Sequence, residues 1–227
     1  MDKKIIIADD HPLFRAAMQT ALKQFFDHIT IYEAGSVTEL QMLLSTEDKP
    51  DLILLDLHMP GAHGFSCLIF LHGHYPDIPV AIVSAAEDPQ IISQSIHHGA
   101  CGFIPKSLPP EDLRNAINTI LAKQQWLPAG FSLQSKGVKT SEVEDRLASL
   151  TPQQFRVLGM ISEGMLNKQI AYDLNVSEAT IKAHVTAIFR KLGVRSRTQA
   201  VIAIKELEVE ALQPESNNSS PNKDPSS

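Results

Sequence analysis

The stretch Leu52-Ile53-Leu54-Leu55-Asp56-Leu57-His58-Met59-Pro60-Gly61 constrains the fold more than any other part of the chain. Four apolar residues run into a carboxylate and then into a loop with Pro60 and Gly61. An unbroken apolar run of strand length belongs to a strand buried on both faces, the habit of a parallel sheet covered by helices. In such sheets ligands and chemistry collect just past the carboxyl ends of the strands. Asp56 stands at that place, where a carboxylate serves as a metal ligand, a nucleophile, or both.

The same pattern recurs through the first half. Ile5-Ile6-Ile7-Ala8 reads as a buried strand ending at Asp9-Asp10. Pro12 then opens a helical pattern with Leu13, Phe14, Ala17, Met18, Ala21, Leu22 and Phe25 on its apolar stripe. Thr30 to Ala34 is a weaker strand, and Ser36-Val37-Thr38-Glu39 fits a capping box. Gly64 to His74 reads as helix, with Gly73 weakening its end. Pro79 to Ser84 is the fourth strand. Asp88-Pro89 is a cap followed by proline in the first helical turn. Cys101 to Ile104 is a fifth strand, and a helix from Pro110 reaches about Gln124. Five β-α repeats predict an α/β domain of (βα)5 flavodoxin-like type over residues 1–124. The strand ends collect Asp9, Asp10, Asp56, Ser84 and Lys106. With strand order 2-1-3-4-5 the first and third strands are neighbours, so three carboxylates crowd one pocket. Like charges that close need a neutralising cation, and oxygen ligands with room for water suit Mg²⁺.

This ordered set resembles the receiver domain of bacterial two-component response regulators. The resemblance implies that Asp56 is the phosphoacceptor, taking its phosphoryl group from a phosphohistidine on a sensor histidine kinase. It implies that Asp10, Asp56 and the backbone carbonyl of His58 hold Mg²⁺, with Asp9 acting through water. Lys106 would contact the phosphoryl oxygens, Ser84 would swing toward them, and Phe103 would turn inward with it. One departure from the family is that proline precedes the lysine, as Pro105, where family members often have it after. His58 and Ala86 occupy variable positions that leave the acyl-phosphate lifetime open.

Other classes fit less well. An aspartyl-nucleophile phosphatase of the haloacid-dehalogenase type needs a second Asp two positions on, where His58 stands. No Walker-type or dinucleotide glycine pattern occurs. His58, His63, His72, His74, His97 and His98 suggest a metal, but solvated surface histidines are the expectation. No apolar run approaches the ~20 residues of a membrane helix, and nothing at the start resembles a signal peptide. A cytoplasmic protein with two reduced, buried thiols, Cys67 and Cys101, is expected.

The net charge of −6 conceals an asymmetry. Residues 1–124 carry 8 basic and 15 acidic side chains, whereas residues 167–197 carry 6 basic and 2 acidic. Two domains with different partners follow. Residues 125–146, with Pro128, Gly130, Gly137 and the mixed-sign run from Glu142 to Arg146, read as a linker. Thr151-Pro152-Gln153-Gln154 is a capped helix start; Asn167 opens a short helix, Asn175-Val176-Ser177 turns, and Ser177 caps a longer helix to about Leu192. A fourth helix starts near Arg197. Two short helices across a tight turn, the second basic, form a helix-turn-helix signature. With Ile181, Val185, Ile188 and Leu192 inward, Lys182, Ala183, Thr186 and Arg190 face outward.

Residues 147–211 resemble the LuxR-type DNA-binding domain, most clearly in Asn167 to Ala171, Thr180 to His184 and Lys191 to Thr198. The resemblance implies that Lys182, Ala183 and Thr186 read bases, while Lys168, Thr180, Arg190 and Lys191 grip phosphates. The fourth helix would be the dimer contact. Residues 212–227 are expected to be a disordered tail. The whole chain resembles a NarL/FixJ-type response regulator. That implies no enzyme beyond phosphoryl acceptance and slow self-dephosphorylation. Its partners would be a sensor kinase, promoter DNA, a second copy when phosphorylated, and RNA polymerase, with no membrane. In such proteins the resting receiver covers the DNA-binding helix or blocks dimerisation. Two alternatives are a DNA-binding regulator switched without phosphate and a receiver whose helical output binds protein.

Overall fold

The computed structural model describes residues 2–46, 48–131, 142–205 and 207. Its N-terminal domain alternates strand and helix: β1 (Lys3–Ala8), α1 (Pro12–Phe25), β2 (Ile29–Ala34), α2 (Val37–Thr46), β3 (Leu52–Asp56), α3 (Ser66–His74), β4 (Val80–Ser84), α4 (Pro89–His97), β5 (Gly102–Pro105) and α5 (Pro110–Leu121). All strand pairs are parallel, in the order β2-β1-β3-β4-β5. Every residue of β3, β4 and β5 is buried, as an apolar strand between two helical layers requires. Trp126 extends the sheet past the last helix. It bridges Gly102, receives the amide of Phe103 and donates its own to Cys101.

Local details follow from residue chemistry. Asp88 caps α4 by accepting the Gln90 amide at 2.7 Å. The box at α2 is half formed: Ser36 accepts the Glu39 amide, but the Glu39 carboxylate takes the amide of Gly35 instead of Ser36. The apolar stripe of α1 is narrower than its spacing predicts. Met18 and Leu22 are buried, whereas Leu13 and Ala17 are exposed, because they lie one residue round the helix from Phe14 and Met18.

The C-terminal domain comprises α6 (Glu142–Ala148), α7 (Pro152–Ser162), α8 (Asn167–Asp173), α9 (Glu178–Leu192) and α10 (Arg197–Lys205). The capping box of Thr151 and Gln154 is complete. Asn175 makes the α8–α9 turn at φ +52°, and Ser177 caps α9 through the Thr180 amide. At the other end Gly193 adopts φ +71°, with the Arg146 guanidinium packed where a Cβ would project. Helix α6 begins within the last five residues of the stretch read as connector and buries Glu144 and Leu147. The expected tail, the end of the DNA-binding domain and linker residues 132–141 lie outside the described residues.

The two domains share an apolar core. Phe70 of α3 stacks on Phe155 of α7 with centroids 4.3 Å apart. A Cβ at Gly73 would meet Ala148 at 2.9 Å, which accounts for a glycine inside α3. Gly159 of α7 lies against the backbone of Gly61, in the loop that follows β3. His63 bonds Ser162 Oγ at 2.6 Å, and His74 bonds the Leu150 carbonyl at 2.6 Å. His58 and His72 are exposed as expected, but His63, His74, His97 and His98 are half-buried at or near this junction. Their solvated reading is therefore corrected: all four are half-buried, and His63, His74 and His98 each contact the second domain.

Candidate functional site

Sheet register builds the first site. Ala8 pairs with Leu55, so Asp9 follows on one strand as Asp56 follows on the other. Asp56 pairs with Val83, and Ser84 pairs with Pro105, which places Lys106 one residue past β5. Lys106 Nζ lies 2.6 Å from Asp9 Oδ2 and 3.0 Å from Asp56 Oδ2. Its ammonium also sits 4.7 Å over the Phe14 ring centre. Asp9 and Asp56 are almost wholly buried, at 1% and 3% exposure. Two carboxylates withdrawn from water are tolerable only beside a cation. Burial works to lower the Lys106 pKa, but the hydrogen bonds and charges of Asp9 and Asp56 together outweigh that and raise it.

Asp10 points into the same pocket with His11 as its neighbour, Nδ1 to Oδ1 at 2.5 Å. The His11 amide donates to Asp9 Oδ1 at 2.8 Å, closing a turn that aims both acids inward. His11 was not among the residues singled out from sequence, although its place directly after the acidic pair signals it. Ligand atoms of Asp9, Asp10, His11 and Asp56 all lie within 4.8 Å of one another. Three converging carboxylates fit a hard divalent cation such as Mg²⁺. Ser84 is buried and accepts the Ala86 amide at 3.2 Å. Phe103 is fully buried and already points inward.

The second site is a surface. Ile181, Ile188 and Leu192 are buried and Val185 is half-buried, leaving Lys182, Ala183, Thr186 and Arg190 exposed on one face of α9. The shallow groove there is lined by α9 residues alone. This docked arrangement thus does not cover the helix. Lys182 pairs with Glu178 at 3.0 Å one turn back. Lys168 and Thr180 are exposed beside it. Lys191 is turned aside, donating to the Ser149 carbonyl at 2.7 Å. Arg197, counted in the basic run, is structural: its guanidinium donates to the carbonyls of Ile161 and Met165.

Residues 5–118 match the response regulator receiver domain family, and residues 148–204 match the luxR family of bacterial regulatory proteins. The chain is 41% identical over 215 residues to the glycerol metabolism activator of Pseudomonas putida, covering 92% of this chain and 97% of that protein. It is 29% identical over 205 residues to the nitrate/nitrite response regulator protein NarL of Escherichia coli K12, covering 89% and 94% of the two. RcsB of Salmonella enterica serovar Typhimurium, solved on promoter DNA in the presence of the phosphomimetic BeF3⁻, superposes with a TM-score of 0.54. That likeness carries 25% identity and covers 91% of this chain and 100% of the other. The two family matches cover the doubly wound domain that carries the acidic pocket and the helical domain that carries the exposed basic face. The chain belongs to the NarL/FixJ-type response regulators, DNA-binding transcriptional regulators built from a receiver domain and a LuxR-type domain.

Proposed function

We propose that phosphorylation of Asp56 by a sensor histidine kinase switches this regulator between a docked form and an open, dimeric form on promoter DNA. The observation that carries this reading is the convergence of Asp9, Asp10, Asp56 and Lys106 at the carboxyl ends of β1, β3 and β5. A carboxylate is a competent nucleophile toward phosphorus. An Asp56 oxygen forms the new O–P bond as the N–P bond of the donor phosphohistidine breaks. Asp10, Asp56 and the His58 carbonyl would hold Mg²⁺, with Asp9 outside it, and the ion would neutralise charge on the phosphoryl oxygens. Lys106 exchanges its contact with Asp56 for those oxygens, and Ser84 turns toward them beside Phe103.

The docking geometry supports a route from the pocket to the second domain. Five residues after Asp56, Gly61 touches Gly159, and two further on His63 holds Ser162. The Pro60 carbonyl accepts the Val37 amide at 3.0 Å, fixing this loop to α2. A loop anchored to the acidic pocket at one end and to α7 at the other is suited to convert a local charge change into undocking. In the open form, Lys182, Ala183 and Thr186 read base edges. Lys168, Thr180, Arg190 and Lys191 contact phosphates, and α10 pairs with a second copy.

The test is to incubate the protein with acetyl phosphate and Mg²⁺ beside an Asp56→Asn variant, measuring intact mass and promoter affinity. A Mg²⁺-dependent phosphoryl gain confined to the parent, with tighter DNA binding, is the expected result. DNA affinity identical with and without phosphoryl gain would leave a regulator switched by some other trigger.

A further inference from the structure

Three titratable side chains gather away from the acidic pocket, where Glu144 of α6 reaches the C-terminal end of α4. His97 closes α4 and His98 is its C-cap residue. The two rings meet edge-on, with centroids 5.2 Å apart. Glu144 of α6 reaches them, its carboxylate 3.4 Å from His98 Nδ1. The side chains of His98 and Glu144 are only 9% and 11% exposed. His97 Nε2 and His98 Nδ1 are both buried without a hydrogen bond. One ring nitrogen from each histidine and one Glu144 oxygen all lie within 4.8 Å of one another.

A buried ring nitrogen without a partner is costly unless something occupies its lone pair. The Glu144 contact does not answer this, because at 3.4 Å it leaves His98 Nδ1 without a hydrogen bond and His97 Nε2 has none either. Neutral imidazoles with a carboxylate are donors for a borderline metal ion. Tetrahedral zinc with bonds of about 2.1 Å sets donor atoms about 3.4 Å apart, a contraction that side-chain rotation can supply.

We propose that His97, His98 and Glu144 form a site for a divalent transition metal, zinc by donor type, that clasps the receiver's α4 to α6. Two ligands come from the receiver domain and the third from the first helix of the C-terminal domain. Bound metal therefore stabilises docking and opposes opening. The site is separate from the Asp9–Asp10–Asp56 pocket in position and in chemistry.

The experiment uses the full chain with Mg²⁺ in excess, which satisfies the carboxylate pocket but is a poor match for imidazole. Zinc is then titrated into the parent and into His97→Gln and Glu144→Gln variants. The parent should retain about one zinc per chain. Loss of a direct ligand should weaken binding by more than the ~10–100-fold seen when an outer partner of a metal ligand is removed. Zinc should also slow amide exchange across α6 in the parent and leave both variants unchanged. Equal zinc affinity in parent and variants, or none in the parent, overturns the site. Binding lost in the variants with no effect on α6 exchange overturns the clasp.

Discussion

The acidic pocket and the outer face of α9 are both charged, yet they differ in every respect that sets the size of a mutational effect. Asp9 and Asp56 are buried, and Lys106, 17% exposed, serves both. On α9, Lys182 is 66% exposed and its partner Glu178 is 47% exposed. Charges in the pocket are desolvated and mutually dependent, so removing one strands the others. Charges on the helix face are screened by water and salt and act nearly independently. A switch needs the first kind of site, in which one added charge upsets a balance. A DNA-reading surface needs the second, in which contacts add.

The sharpest way to break this contrast is Lys106→Met. It leaves Asp9 and Asp56 facing each other without their cation, and the expected destabilisation is about 3–5 kcal/mol, read by urea unfolding. Mg²⁺ should recover more stability in the variant than in the parent, and a combined Asp56→Asn change should cost less than the sum of the two. The parent's pH dependence carries the same signature. A Lys106 pKa raised above the ordinary 10.5 keeps its contribution intact below that value and loses it as pH climbs through the higher folded one. A loss within the range of surface substitutions for Lys106→Met would show that the pocket is solvated after all.

Gly159→Ala tests the boundary between the two regions. Alanine in a helix is favoured over glycine by about 1 kcal/mol, so the C-terminal domain alone should gain stability. In the docked protein the new Cβ strikes Gly61 carbon atoms at 3.0 Å and its carbonyl oxygen more closely still. Overpacking against backbone should cost docking about 1–3 kcal/mol. The expected result is faster amide exchange in α6 and α7 and tighter DNA binding without a phosphodonor. Unchanged exchange would mean that Gly61 and Gly159 do not govern docking.

The pocket was legible because its logic is local. Each of Asp9, Asp56, Ser84 and Lys106 follows an apolar strand, and parallel register gathers residues that share that place. The outward face of α9 was legible for a similar reason, since its apolar spacing fixes which side is free. The docking surface was not. His63 bonds a residue 99 positions away and His74 one 76 away, and no nearby pattern encodes such pairs. Helix α6 was not legible because its seven residues bury only Glu144 and Leu147, too few for a recognisable stripe. Arg197 and Lys191 show the limit of counting charge: both belong to the basic run, yet both donate to backbone carbonyls of their own domain in the docked form.

The smallest effects belong to the helix face, where the roles proposed for two lysines separate reading from gripping. Lys182 is exposed near the start of α9, and a bidentate contact to a guanine edge is worth about 1–3 kcal/mol of discrimination. Lys182→Ala should therefore flatten sequence preference while retaining most non-specific affinity. Lys191 must leave the Ser149 carbonyl to reach a phosphate, so part of what it gains on DNA offsets a bond lost in the protein. Lys191→Ala should weaken binding to all sequences alike and reduce the slope of log K against log salt by about 0.9. Affinity measured on matched and scrambled duplexes over a salt series reads both quantities together. Equal losses on every duplex for both variants would remove Lys182 from the base-reading set and make the whole face an electrostatic grip.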